Sequence, residues 1–238
     1  LRRWEAATGA PVVEGYGQSE TGPVLTFNPL HGVRKPGSVG LPLPDTAIEI
    51  VDLEQGTRPL SVGEKGEIRV RGPQIMTGYH ELPEETAATI RDGWLYTGDV
   101  GEFDSDGYLY IRDRKKEMAK VSGFNVFPRE VEEVLYLHFA VREAAVVAVP
   151  DAYRGEVIKA FVALRPGATA TAEQLTEHCR ANLAKYKIPA VVTLVAELPK
   201  TAVGKIDKNG LRGGLRQVES DPGIEIGAHA GPSTASGS

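Results

Sequence analysis

Between Gly37 and Tyr110 the apolar positions come in short alternating runs broken by Gly and Pro. They include Ala47-Ile48-Glu49-Ile50-Val51, Gly66-Glu67-Ile68-Arg69-Val70-Arg71, and Gly101-Glu102-Phe103 joined through Asp106-Gly107 to Tyr108-Leu109-Tyr110-Ile111. A period of two punctuated by turn residues predicts an antiparallel sheet or small barrel. One helix interrupts it, over Glu84–Ile90, with Pro83 supplying a φ suited to a first helical turn. Upstream, Val12-Val13-Glu14 predicts a short strand opening into a Gly-bearing loop.

After Asp113 the period changes. A strand is predicted over Met118–Val121, then Pro128 opens an amphipathic helix, Arg129–His138, with Val131, Val134, Leu135 and Leu137 at helical spacing. Strands come next at Ala144–Pro150 and Ile158–Leu164. Thr171, with Glu173 and Gln174 in the next turn, starts a helix running to about Ala184, and a last strand covers Val191–Val195. From Gln217 the chain is Gly/Ser/Ala-rich and weakly apolar, the composition of a disordered tail over 217–238. There is no internal repeat.

Composition narrows the classes. With 238 residues and 41% hydrophobic content, the chain can build one or two real cores. Its net charge of −5 offers no basic footprint, so nucleic acid is not an expected partner. The longest apolar run, Ala144–Val149, falls far short of the roughly 20 residues a spanning helix needs. The single cysteine, Cys179, excludes an intrachain disulfide framework and agrees with a reducing cytoplasm, and the five His lack metal-ligand spacing.

Candidate chemistry lies on three Gly-bearing segments: Gly15-Tyr16-Gly17-Gln18-Ser19-Glu20-Thr21; Gly93-Trp94-Leu95-Tyr96-Thr97-Gly98-Asp99, followed by Asp113-Arg114-Lys115-Lys116; and Leu198-Pro199-Lys200-Thr201-Ala202-Val203-Gly204-Lys205. In the first, Gly17 lets backbone pass close to a planar ring and Tyr16 offers a stacking face. Ser19 can donate to phosphate, and Glu20 supplies hard oxygens suited to Mg²⁺. The alternative is a strand-to-loop turn with a solvated Glu. Asp99 can accept both ribose hydroxyls, or it can cap a turn. Arg114 carries a forked, permanent charge suited to ribose or phosphate oxygen, or it makes a surface ion pair worth under about 1 kcal/mol. Lys205, after a flexible Gly, can swing a point charge onto an anion, although lysines are ordinarily solvated. Trp94 and Tyr96 are expected as core anchors.

In this order and spacing, the three segments resemble those of the adenylate-forming ligases: acyl-CoA synthetases, luciferases and the adenylation domains of peptide synthetases. The resemblance runs from about Pro11 to about Arg216. Val13-Glu14-Gly15-Tyr16-Gly17, Phe27-Asn28-Pro29, Gly37-Ser38-Val39-Gly40-Leu41-Pro42 and Val121-Ser122-Gly123-Phe124-Asn125-Val126-Phe127-Pro128 are most similar to bacterial long-chain fatty-acyl-CoA synthetases.

The fold the resemblance implies is α/β and α+β. Residues 1–115 would be the end of a large AMP-binding domain with a β-barrel-like subdomain over about 33–112, and 116–216 a small mobile α+β domain. It implies an ATP site of Gly15, Tyr16, Gly17, Gln18, Ser19, Asp99, Ile111, Arg114 and Lys205, with Ile111 packing on adenine and Lys205, Glu20 and Ser19 acting in catalysis. Glu20 would hold Mg²⁺. Lys116 occupies the hinge position, and Ser122, Gly123 and Phe124 the lining of the path for coenzyme A, which a side chain at Gly123 would obstruct. Ser19 replaces a more usual Thr and keeps the hydroxyl; Asp207 departs from the residues usual at its position.

The implied reaction has two steps: a fatty carboxylate attacks the α-phosphorus of ATP, and the thiol of coenzyme A then attacks the acyl-AMP. A cytoplasmic setting is expected, with peripheral contact at the inner face of the membrane for an apolar substrate. Two alternatives stay open, an adenylation domain loading a carrier protein and a non-catalytic nucleotide-binding or regulatory domain. The sequence contains neither the family's Ser/Thr/Gly-rich phosphate loop ending in Lys-Gly nor a GxxxxGK[ST] loop. The expectation is a C-terminal part of a longer enzyme, inactive alone.

Overall fold

The structure, a computed structural model, describes residues 1–219. After a short helix α1 (Arg2–Thr8), three two-residue strands, β1 (Gly15–Tyr16), β2 (Thr26–Phe27) and β3 (Leu41–Pro42), form an antiparallel sheet in that order. The strand expected over Val12–Glu14 is not formed; pairing starts at Gly15, opposite Phe27. Its partner β2 runs into Asn28-Pro29, and a proline has no N–H with which to continue a ladder.

The alternating segment folds as expected into an antiparallel sheet. Strands β4 (Ala47–Val51), β5 (Gly66–Arg71), β6 (Ile90–Arg91), β7 (Trp94–Phe103) and β8 (Leu109–Arg114) are ordered β4-β5-β7-β6, with β8 also on β7, and helix α2 (Pro83–Thr89) precedes β6. Every second residue turns inward, so Ile50, Ile68, Val70, Leu95 and Leu109 close one core with Leu25.

A 3-10 turn, Lys115–Glu117, leads to β9 (Ala119–Val121), β10 (Phe124–Val126), α3 (Pro128–Leu137), β11 (Val141–Asp151), β12 (Gly155–Leu164), α4 (Ala172–Asn182), β13 (Val191–Leu194) and α5 (Lys208–Glu219). The sheet order is β10-β9-β12-β11, with β13 parallel to β12. Val131 and Leu135 of α3 and Leu175 and Cys179 of α4 pack on one face, against Val146, Ile158, Ala160 and Val162. Ala145, Val147, Val149 and Phe161 point to the other face, covered by Leu198 and Leu211. Burial on both faces is why Ala144–Val149 is apolar without alternation.

Thr171 and Gln174 form a reciprocal capping box at the start of α4, at 3.2 and 2.9 Å. Burial pushes the Cys179 thiol up to about 11. Leu137, expected on the inward stripe of α3, is 74% exposed. Six residues past Val131, it falls roughly 120° off that stripe at 3.6 residues per turn. Helix α5 has no counterpart among the expected elements, and its last turn covers 217–219, where the tail was expected to begin; the rest of that tail, 220–238, lies outside the described residues.

Two contacts tie the β-rich part to the C-terminal α+β part. Asp113 on β8 accepts from the backbone N–H of Arg129 in the first turn of α3 at 2.9 Å, and Lys115 reaches the buried Glu67 of β5 at 2.7 Å. No helix among the described residues is long and apolar enough to cross a membrane.

Candidate nucleotide site

The site starts from an irregularity in β7. Between the pairs Arg69–Tyr96 and Glu67–Val100, β5 contributes only Ile68 while β7 contributes Thr97, Gly98 and Asp99. The surplus must leave the ladder, which Gly98 allows at φ +69°, and Thr97 seals the step by donating its hydroxyl to the Ile68 carbonyl at 2.9 Å. Asp99 is thereby re-aimed out of the regular strand pattern.

Its carboxylate is almost fully buried and held on both oxygens. Tyr16 donates to Oδ2 at 2.6 Å, and Gln18 Nε2 donates to the same oxygen at 2.8 Å and to the Thr97 carbonyl at 3.0 Å. Arg114, directly opposite on β8, brings Nε to 3.5 Å from Oδ1 while remaining 60% exposed. Burial, and then the charge of Asp99, push the Tyr16 phenol far above its ordinary pKa, so Tyr16 acts as a donor throughout the physiological range.

An open cleft of about 680 Å³ brings together Gln18, Ser19, Glu20, Asp99, Arg114 and Lys116. Glu20 sits on a 3-10 turn (Ser19–Thr21), where Oε1 accepts from the Tyr79 phenol at 3.0 Å. Oε2 has no protein partner among the described residues. No group of three or more His, Cys, Asp or Glu among those residues forms a self-sufficient metal cage. One half-buried carboxylate with a free oxygen, at the edge of a polar cleft, does fit Mg²⁺ carried in on phosphate, which keeps waters and takes few protein ligands.

Other expected residues fall elsewhere. Gly17 makes room for backbone rather than for a ring: a Cβ there would lie 1.7 Å from the Pro23 carbonyl oxygen. Gly15 similarly accommodates Phe27, whose ring a Cβ would meet at 2.8 Å. Ile111 packs against the β-sheet core and does not line the cleft. Lys205 is exposed, outside the cleft, and its amine has no partner among the described residues; its carbonyl closes a tight loop by accepting from Thr201 at 2.7 Å.

Ser122 (φ +50°) and Gly123 (φ +85°) form the turn between β9 and β10, and a Cβ on Gly123 would meet nothing within 4 Å. Phe124 stacks on Tyr186, ring centroids 4.5 Å apart. Sequence reasoning missed Tyr79. It stands in no recognisable motif, and its partner is 59 residues away.

Residues 1–80 match the family model described as AMP-binding enzyme, and residues 130–205 match the AMP-binding enzyme C-terminal domain. The chain belongs to this family of adenylate-forming enzymes. It is 52% identical over 205 residues to a long-chain-fatty-acid–CoA ligase of Bacillus subtilis, covering 86% of this chain and 36% of that protein. Among solved structures it resembles ATP-bound MatB from Rhodopseudomonas palustris, with TM-score 0.84 and 39% identity over 91% of this chain and 43% of the other. It also resembles o-succinylbenzoate CoA synthetase from Bacillus subtilis in complex with its acyl-adenylate, with TM-score 0.77 and 35% identity over 88% and 43%. The chain thus spans well under half the length of these proteins.

Proposed function

We propose that the protein containing this chain activates a fatty acid with ATP and transfers the acyl group to coenzyme A. The observation that carries this is Asp99, buried, with Oδ2 taken by Tyr16 and Gln18 and Oδ1 turned toward Arg114 at the mouth of the cleft. Such a carboxylate suits a ribose diol, with Arg114 at hand for a ribose or phosphate oxygen. The similarity to ligases that use coenzyme A supports the acceptor, and the relatives named for long-chain fatty acids support the acid.

The carboxylate substrate is already an anion, so the chemistry asks for charge rather than a protein nucleophile. Glu20 would hold Mg²⁺, which when bound offsets charge on the phosphates. Ser19 would donate to phosphate, and Lys205, unpaired on its glycine-preceded loop, would swing to the same anion. Lys116 would be the hinge for that motion, and Ser122, Gly123 and Phe124 would border the path of the thiol. The reading extends to a cytoplasmic protein that takes its acid at the inner face of the membrane.

The test is fatty-acid-dependent ATP–pyrophosphate exchange by the full-length protein, followed by acyl-CoA formation. The proposal holds if both occur and Asp99→Ala weakens ATP binding at least about tenfold. Exchange without any thioester product would redirect it to a different acceptor.

A further inference from the structure

Helix α2 is an oddity of the fold: seven residues long, it buries none of its side chains. It contributes to no core, yet it anchors the strap before it. Thr86 of α2 accepts from the backbone N–H of Tyr79 at 2.9 Å and donates its hydroxyl to the Leu82 carbonyl at 2.8 Å. Gly78 lies so close that an added Cβ would meet the Thr86 methyl at 2.8 Å. The Tyr79 backbone is therefore clamped, and its phenol ends 3.0 Å from Glu20 Oε1.

That side-chain bond is not needed to hold the strap against the 3-10 turn. The Met76 N–H already donates to the Glu20 carbonyl at 2.9 Å. What the phenol adds is control of the carboxylate, occupying one oxygen and leaving the other for the cleft. Burial, and then the bond to Glu20, raise the phenol above its usual pKa, so it stays a donor at neutral pH.

We infer that Tyr79, clamped by Thr86, is a positioning residue that orients Glu20 toward a nucleotide-bound divalent cation. The inference rests on the assignment of Glu20 to the metal in the proposed function. Groups that orient a metal-ligating carboxylate typically govern metal affinity by about 10–100-fold.

The experiment uses the full-length protein with ATP and titrates Mn²⁺, reading free Mn²⁺ by electron paramagnetic resonance, with ATP binding in EDTA measured in parallel. Tyr79→Phe keeps the ring and loses the donor. It is expected to raise the Mn²⁺ concentration for half-occupancy roughly tenfold while leaving metal-free ATP binding unchanged. In a Glu20→Gln background, the same change should have no further effect.

Wild-type Mn²⁺ affinity in Tyr79→Phe, equal weakening with and without metal, or additivity with Glu20→Gln would each overturn the inference. If Glu20→Gln itself leaves Mn²⁺ binding intact, the metal assignment falls and the inference with it; if only Tyr79→Phe is silent, the inference falls alone. Should Tyr79→Phe fail to fold, Thr86→Val, which releases the strap, must shift Mn²⁺ affinity the same way, and unchanged affinity there refutes the inference.

Discussion

Tyr16 and Asp99, 83 residues apart in sequence, are joined by a 2.6 Å hydrogen bond from phenol to carboxylate. Tyr16 comes from β1 and Asp99 from the bulged β7, so the bond links two separate sheets at the cleft. It also changes what the tyrosine does. A ring expected to offer a stacking face proves to be a donor that fixes the ribose-facing carboxylate.

Tyr16→Phe keeps the ring and removes that donor. Hydrogen bonds to charged groups contribute roughly 1.5–3 kcal/mol, so ATP binding to the full-length protein should weaken about tenfold, as read by isothermal titration. Unchanged affinity would leave Gln18 as the sole effective support of Asp99.

Lys205→Ala should separate the two half-reactions. Removing a charge that meets a developing anion typically costs ~3–4 kcal/mol, or about 10²–10³ in rate, so pyrophosphate exchange should fall by that factor. Thioester formation from supplied acyl-AMP should persist, because in the present arrangement Lys205 stands outside the cleft. Equal loss in both steps would make the lysine a structural part of its loop.

Much of this organisation was legible in the sequence, for physical reasons that also mark where legibility ends. Strands β5 and β7 announced themselves because each has one buried face, so burial wrote itself as alternation. The Asp99 bulge was not visible, since it is a mismatch between two strands and no single strand records it. Helix α5 was hidden by Gly210, Gly213 and Gly214, which lower helix propensity. It forms because Leu211 docks on the Ala145 and Phe161 face and Lys208 pairs with Glu132 at 2.7 Å. Glu20 was readable as a candidate ligand from its motif; the residue that aims it, Tyr79, was not, because that bond exists only after folding.

Stability in the β-rich part should carry an acid signature from Asp52. Backbone N–H groups of Arg58, Gln55, Gly56 and Thr57 converge on its carboxylate at 2.7–3.2 Å and hold its pKa far below the usual range. A carboxylate depressed in the folded state stabilises fully above its unfolded value of about 3.9, and the contribution is lost as pH falls toward the folded value. Asp52→Asn should therefore lower the denaturation midpoint at about pH 7, with the gap to wild type shrinking below about pH 4. A gap independent of pH across that window would mean the amide disturbs the turn by geometry alone.

The last prediction concerns the turn at Lys116 and the open corner at Gly123. The cleft residues Asp99 and Arg114 lie before the 3-10 turn Lys115–Glu117, and Lys205 lies after it, so any approach of the lysine must be accommodated near that turn. Proline at 116 fixes its own φ and restricts Lys115, which should trap one arrangement. At Gly123 the obstacle is different. An added Cβ meets nothing within 4 Å, so a large side chain has open space to enter, although φ +85° makes any replacement strained. In the full-length protein, Gly123→Trp should still form acyl-AMP but fail to convert supplied acyl-AMP and coenzyme A into thioester. Gly123→Ala, carrying the same backbone strain without the bulk, should retain most of that second step. Lys116→Pro should likewise spare acyl-AMP formation and lose the thioester step. If Gly123→Ala and Gly123→Trp are equally impaired, backbone strain explains the loss and the thiol path lies elsewhere; normal thioester formation in Lys116→Pro would remove the hinge.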